Sequence, residues 1–416
     1  MMMKKFLTLL LLLGGFARAF DGQLVDATSN APIADGAVVL GDQRVLADAA
    51  GHFHLDSVTG QAFARAPGYR AGHFDLAASD HAVKLTAFTP HALYLSVYGA
   101  GSHVIRDAAL DVINGGGANA LVIDVKGDAG LVAYPSEVAL ARTDGARKVT
   151  TIADLPALVS KLHQQHLYLI ARIVTFKDNP LANARPDLAI RQADGSLFRD
   201  REHLAWTDPL QPEVQQYNID LAVEAAKAGF DEIQFDYVRF PDFSGRLKFS
   251  GPTDEAARTS AIAHFLAGAR KALMPYNVYL SADIFGYVCW NTDDTGIGQR
   301  LDVLAPNVDY MSPMLYPSGF QFGIPGYVDP VLHPYEIVHA SLIKAQQRMH
   351  ISSRRFRPWL QAFKDYAFDH RKFLAPEVDA QIKAADDFGS DGWLLWNPRN
   401  DYSDTGLMPI KVAAAK

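Results

Sequence analysis

The chain has 416 residues, 49% of them hydrophobic, enough for more than one domain with a sizeable core. Its 39 lysines and arginines stand against 46 aspartates and glutamates, a formal net charge of −7 without any basic run, which argues against nucleic-acid binding. Cys289 is the only cysteine, so neither an intrachain disulfide nor a cysteine-based zinc site can form.

The chain opens MMMKKFLTLLLLLGGFARAF. Lys4 and Lys5 precede an apolar run from Phe6 to Phe16, and Ala17-Arg18-Ala19 is a small-x-small cleavage site. Residues 1–19 are therefore expected to be a cleaved signal peptide, with the mature protein periplasmic or secreted. No cysteine follows the cleavage site, so no lipid anchor is expected, and no later segment is apolar for long enough to cross a bilayer. Cleavage removes Lys4, Lys5 and Arg18 and no acid, leaving 36 basic against 46 acidic side chains, or −10.

Residues 20–87 alternate apolar and polar positions in short runs broken by Asn-Ala-Pro, Gly-Asp and Ala-Gly. Short period-two runs with frequent turns predict a small antiparallel β-sandwich. The stretches Gly22-Gln-Leu-Val-Asp26, Ala31-Pro-Ile33, Gly36-Ala-Val-Val39, Asp48-Ala-Ala-Gly51-His-Phe53-His-Leu55 and Ala66-Pro-Gly68-Tyr69 resemble the carboxypeptidase regulatory-like domain. That resemblance implies an immunoglobulin-like accessory module with no catalytic residues, serving as a spacer or as a glycan- or wall-binding element.

From Pro90 the texture changes. Eight strand-like runs are predicted, at 93–98, 120–125, 167–174, 232–239, 278–285, 309–315, 357–363 and 392–396. Helical patterns lie between them, among others at 152–163, 212–228, 255–273, 334–347 and 376–388. Alternating units with doubly buried strands imply a parallel sheet, and eight of them imply a closed (β/α)8 TIM-type barrel over 90–416. An open doubly wound sheet is the alternative, but "YGAGS" at 98–102 is a poor phosphate turn. Only about one helix's worth of chain follows the eighth strand.

In such a barrel the chemistry sits at the C-terminal ends of the strands. Polar residues gather there in run after run: Tyr98, Asp124 and Lys126 in "VIDVKGD", Arg172, Asp236 and Arg239, Asp283 in "LSADIFGY", then "MSPMLYPS", "WLQAF" and "WLLWNP". Acids inside apolar runs are costly to bury without a purpose. Alternation puts Gln234, Asp236 and Val238 on one face and Phe235, Tyr237 and Arg239 on the other. With strands about 4.8 Å apart, Asp236 and Asp283 on neighbouring strands are expected roughly 5–8 Å apart, a separation used by glycosidases. Asp236 is the candidate nucleophile or base, Asp283 the general acid, and Asp124 the supporting acid, with Lys126 on its face. Each has a structural alternative: Asp236 as the ion partner of Arg172 or Arg239, Asp124 as that of Lys126 or Arg172, and Asp283 as a cap or satisfied core acid.

Sugar-binding candidates are Lys126, Arg172 and Arg239, the aromatic rings of Tyr98, Trp206, Trp290, Tyr316 and Trp396, and the planar amides Gln361 and Asn397. Trp359 is the aromatic residue expected to be buried. The long, proline-containing connection 179–211 is expected to form a cleft wall or lid. No Gly-x-Ser-x-Gly elbow is present, "HQQH" at 163–166 reads as a solvated helix end, and "NTDDTG" at 291–296 lacks the spacing of a calcium loop. No cofactor and no metal is required.

The stretches "ALVIDVKGDAG", "PALVSKLHQQHLYLIARIVTFKD", Trp206-Thr-Asp-Pro, "GFDEIQFDYVRFP", "YMSPMLYPS" and "LLWNP" resemble the family known as the putative glycoside hydrolase domain of secreted bacterial proteins. The resemblance covers Pro90 to about Asn400 and implies a (β/α)8 barrel acting on an unassigned polysaccharide. "DEIQFDYV" also overlays the chitinase motif, but Gln234 and Val238 stand where that motif has acids. The reading is an exported glycosidase using two carboxylates; the alternative is a non-catalytic glycan- or envelope-binding protein.

Overall fold

The computed structural model describes residues 19–78 and 80–407. The expected signal peptide lies, but for Ala19, outside the described residues. The chain divides into two compact units, one of residues up to 66 with 72–86, the other of residues 67–71 with 87 onward. No helix among the described residues is long and apolar enough to cross a membrane.

The first unit is built of two small sheets. One runs in the order His52–Leu55, Phe20–Asp26, Ala82–Leu85, and the other Gln43–Leu46, Ala37–Leu40, Gln61–Arg65, Gly72–Asp75. Alternation sets the inner face, as in His52–Leu55, where Phe53 and Leu55 are buried and the two histidines exposed. Phe20 and Phe53 of one sheet meet Phe74 of the other at ring distances of 6.2 and 6.1 Å, joining the sheets through an aromatic core. The pairing departs from a purely antiparallel pattern at one place, where Phe20–Asp26 runs parallel to Ala82–Leu85.

The second unit is the expected closed barrel of eight parallel strands. In chain order they are His91–Leu95, Ala120–Lys126, Tyr168–Val174, Glu232–Asp236, Tyr279–Phe285, Tyr310–Met314, Trp359–Gln361 and Trp393–Trp396, and the eighth pairs with the first. Helices cover the outside. Leu155–His163 begins where the Asp154 side chain accepts the Ala157 N–H, and it buries Leu155, Val159 and Leu162 at helical spacing. Pro212–Ala228 starts with proline at its first turn and ends at Gly229, whose φ of 103° suits a residue without Cβ. Among the described residues no helix follows the eighth strand. Instead Tyr402 and Asn400 fold back and donate to the Tyr94 carbonyl of the first strand at 2.7 and 3.1 Å, covering the seam.

The barrel lumen is packed, with Tyr94, Val122, Tyr168, Ile170, Tyr279, Tyr310, Trp359 and Leu394 in one buried cluster. Its two ends differ. Toward the N-terminal end, Arg357 pairs with Glu232 and, at 2.8 Å, with Asp391, and lies 3.9 Å over the Tyr310 ring. This fully buried knot of charge sits at the end of the barrel that serves stability. The opposite end carries a second knot, built around Arg172.

Candidate active site

Three strands aim their last inward side chains at one point. Arg172 on the third strand pairs in register with Asp124 on the second and Gln234 on the fourth, while Val174 pairs with Asp236. Arg172 thereby lies between the acids of its two neighbours. Its Nη1 donates to Asp124 at 2.7 Å, its Nη2 to Asp128 at 2.8 Å and to Asp236 at 2.5 Å, and its Nε to Asp236 at 3.1 Å. Asp283, two strands from Arg172, stands 4.0 Å from the same Nε. One oxygen of Asp236 and one of Asp283 therefore lie no further apart than these last two distances laid end to end, below the upper limit of about 9.5 Å found between glycosidase carboxyls.

Four carboxyls thus surround one guanidinium, and their surroundings separate them. Asp236 accepts the two Arg172 bonds on one oxygen and the Tyr237 N–H on the other at 2.6 Å. Asp283 is 1% exposed; its Oδ1 accepts the Trp359 indole N–H at 2.7 Å, and its Oδ2 has no hydrogen-bond partner among the described residues. Burial first, and then the charge of Asp236, push the Asp283 carboxyl well above the usual carboxylate range. Burial also raises Asp124 to about 7, against the pull of Arg172 and despite a 2.7 Å bond from the Tyr94 hydroxyl. Asp128 is the open member, with its side chain 40% exposed. Gly127 lets that turn approach the acids: a Cβ there would meet Val97 at 2.7 Å and Asp124 at 3.1 Å.

Aromatic rings close over the knot. Trp396 stacks on Tyr94 at 3.8 Å, and its ring lies 4.8 Å from the Arg172 guanidinium. Tyr316 stands edge-on to Phe363 at 5.3 Å, with its phenol held protonated by burial and by Asp283 and Asp236. The backbone is strained here as well. Tyr237, directly after Asp236, has φ +48°, a left-handed value that a tyrosine rarely adopts.

That turn begins an outer cleft of about 590 Å³, walled by the connection after the third strand and the loop after the fourth. Trp206 and Arg239 line it; Trp206 is itself buried, with its indole N–H on Asp200 at 3.0 Å.

Several expected sugar contacts lie elsewhere. Lys126 does not share the face of Asp124, because the register slips between Arg172 and Ile173 and turns it outward. It is buried on Asp178 at 2.7 Å and Asn218 at 2.9 Å. Arg172 is spent on carboxylates and positions them instead of meeting a sugar. Trp290 packs toward an outer helix, with its N–H on Ser341 at 2.9 Å. Gln361 is fully buried, bonded to Ser318 and to the Phe363 carbonyl, and Asn397 ties the Ala362 and Asp401 carbonyls together. Tyr98 is exposed on the short helix Val97–Gly101, outside the knot. Asp128, Tyr94 and the donor role of Trp359 were not anticipated. Asp128 stood four residues after Asp124 in a glycine turn, a signal that was available.

The family model described as "Putative glycosyl hydrolase domain" matches residues 92–402. No curated protein matches the chain. Among solved structures, the glycoside hydrolase domain of PgaB (BpsB) from Bordetella bronchiseptica is 13% identical, covering 78% of this chain and 100% of that one, with a TM-score of 0.56. Alpha-L-fucosidase isoenzyme 2 from Paenibacillus thiaminolyticus is 13% identical over 77% of this chain and 48% of its own, with a TM-score of 0.52. A hypothetical protein from Ruminiclostridium thermocellum is 35% identical over 46% of this chain and 96% of its own, with a TM-score of 0.39. The first two likenesses are likenesses of fold.

Proposed function

Since this chain belongs to the "Putative glycosyl hydrolase domain" family, we propose that its barrel hydrolyses a glycosidic bond in a polysaccharide outside the cytoplasm, by a two-carboxylate mechanism. The observation that carries this reading is the contrast between Asp236 and Asp283 around one arginine nitrogen. An environment that raises one of two neighbouring carboxyls, as burial raises Asp283, is how one site supplies an acid. Asp283, whose carboxyl burial pushes well above the usual range, gives its proton to the leaving oxygen. Asp236, fixed by Arg172 and the Tyr237 N–H, presents negative charge to the oxocarbenium-like carbon, as nucleophile or through an activated water. Asp124 and Tyr94 hold the other side of Arg172 in place. The signal-like first residues support export, and the two-sheet unit is proposed as a carboxypeptidase regulatory-like accessory module.

One observation favours a second reading. Asp236 is only 5% exposed and every nitrogen of Arg172 is engaged, so the knot would equally suit a barrel that binds glycan without turnover. A hydrolysis screen on cell-wall, capsular and amino-sugar polymers separates them. New reducing ends that disappear in Asp283→Asn and Asp236→Asn support the enzyme; binding with no new ends on any polymer supports the second reading.

A further inference from the structure

Beyond the acids, the mouth of the barrel carries a second chemical feature. The outer cleft beside Tyr237 is continuous in its lining with another of about 560 Å³, and Arg201, Arg239 and Asp242 line both. Arg239 sits beside two rings that meet edge-on, its guanidinium carbon 5.3 Å from Trp206 and 5.0 Å from Tyr237, and among the described residues its hydrogen bond goes to the Phe240 carbonyl at 3.2 Å. Arg201 is exposed. Among the described residues neither arginine has a carboxylate partner. Asp242 is exposed in the same lining and, among the described residues, is not paired with them. Lys177, deeper in, is by contrast satisfied by Glu202 at 2.5 Å. The second cleft adds the rings of Phe322 and Tyr366, and Phe322 is 90% exposed.

Two guanidiniums without a carboxylate partner among the described residues, in a chain of net charge −7, one of them beside two aromatic rings, form a ready receptor for a planar anion. A guanidinium carries paired N–H groups at its edge, which match the two oxygens of a carboxylate. Aromatic rings beside it suit the apolar face of a sugar. We propose that this junction binds the carboxylate of an acidic sugar residue, so that the polymer taken by the barrel contains uronic acid. The inference rests on the glycosidase reading above for its placement beside Asp236, and it names the substrate class.

The test is binding, read apart from turnover. Wild type and the Arg201→Gln/Arg239→Gln double variant are run in affinity electrophoresis with polygalacturonate, alginate and hyaluronan, each beside its carboxyl-reduced form, and with dextran sulfate beside dextran. For at least one backbone the carboxylated polymer should bind about tenfold or more tightly than its reduced form, the effect of one charge-assisted bond pair. The double variant should lose that preference with an unchanged melting temperature. If it fails to fold, the exposed Arg201→Gln alone should lose about threefold or more. Binding of none of the polymers, equal binding of both forms, stronger binding of dextran sulfate than of every uronate, or a preference that survives in the variant overturns the proposal. Reducing ends are measured in parallel. Cleavage confined to neutral polymers leaves the glycosidase reading standing and ends this one; carboxylate-dependent binding without cleavage of any polymer does the reverse.

Discussion

The indole N–H of Trp359 donates to Asp283 at 2.7 Å, so the largest buried side chain of the seventh strand orients the proposed acid on the fifth. That bond favours the charged form of Asp283, against burial and Asp236, which oppose it. Trp359→Phe keeps a ring but removes the donor. The Asp283 carboxyl should then rise further, and the alkaline limb of the kcat/KM profile should move to higher pH. Stability should fall by about 1–3 kcal/mol for the carboxyl left without a donor. An alkaline limb that stays in place or moves down would remove Asp283 from the acid's role.

Arg172 is the cation shared by four carboxyls, so its loss should cost more than the loss of any acid. Arg172→Gln is expected to destabilise the fold by about 3–5 kcal/mol, the cost of leaving buried charge unpaired. Asp236→Asn should be milder in urea melts, because Arg172 keeps Asp124 and Asp128, yet it should lower turnover by roughly 10²–10⁴. Near-normal turnover with Asn at 236 would sink its assignment.

The raised Asp124 carboxyl carries a pH signature. Unfolded, it titrates near 3.8, and in the fold at about 7. Between those values the folded state holds the extra proton, so this group's contribution to stability falls as pH rises through the window and levels off above it. Melting temperatures of wild type and Asp124→Asn, measured from pH 4 to 8, should therefore converge or cross as pH increases, with the flatter curve belonging to the variant. A steeper curve for the variant would contradict the assignment.

Lys126 and Phe322 should behave in opposite ways. Lys126→Met strands Asp178 in the core and is expected to cost about 3–5 kcal/mol, while KM for any cleaved polymer stays unchanged in the protein that folds. Phe322→Ala removes an exposed ring and should weaken polymer binding with no more than a slight change in melting temperature.

Trp290 offers the matching control. With its N–H on Ser341 and its ring against the outer helices, Trp290→Ala should lower the melting temperature strongly and leave polymer affinity alone. Weakened binding at an unchanged melting temperature would return it to the cleft.

Much of the barrel could be read from the chain because periodicity reports burial. The helices Pro212–Ala228 and Glu255–Leu273 start and stop where the pattern does. The fourth strand was expected to run to Arg239 but ends at Asp236, because Tyr237 turns left-handed, and a string of apolar letters carries no sign of φ. The first strand likewise ends at Leu95, where Ser96 caps the helix Val97–Gly101. The inward acids were legible as carboxylates placed inside apolar runs. Lys126 was misread because simple alternation fails across a bulge, and Trp290 because a ring just past a strand end can turn to either side. Asp128 was passed over because a loop acid looks solvated until the arginine it folds back upon is known.

The knot at the barrel mouth is also a store of protons. With Asp124 raised to about 7 and Asp283 higher than an ordinary carboxyl, the occupancy of this cluster is set by the geometry around Arg172 as much as by the surrounding solution. A ligand that settles over Trp396 and Tyr316 and displaces water there must change that occupancy. Its binding will then exchange protons with the medium, and the heat of binding at neutral pH will depend on which buffer receives or supplies them.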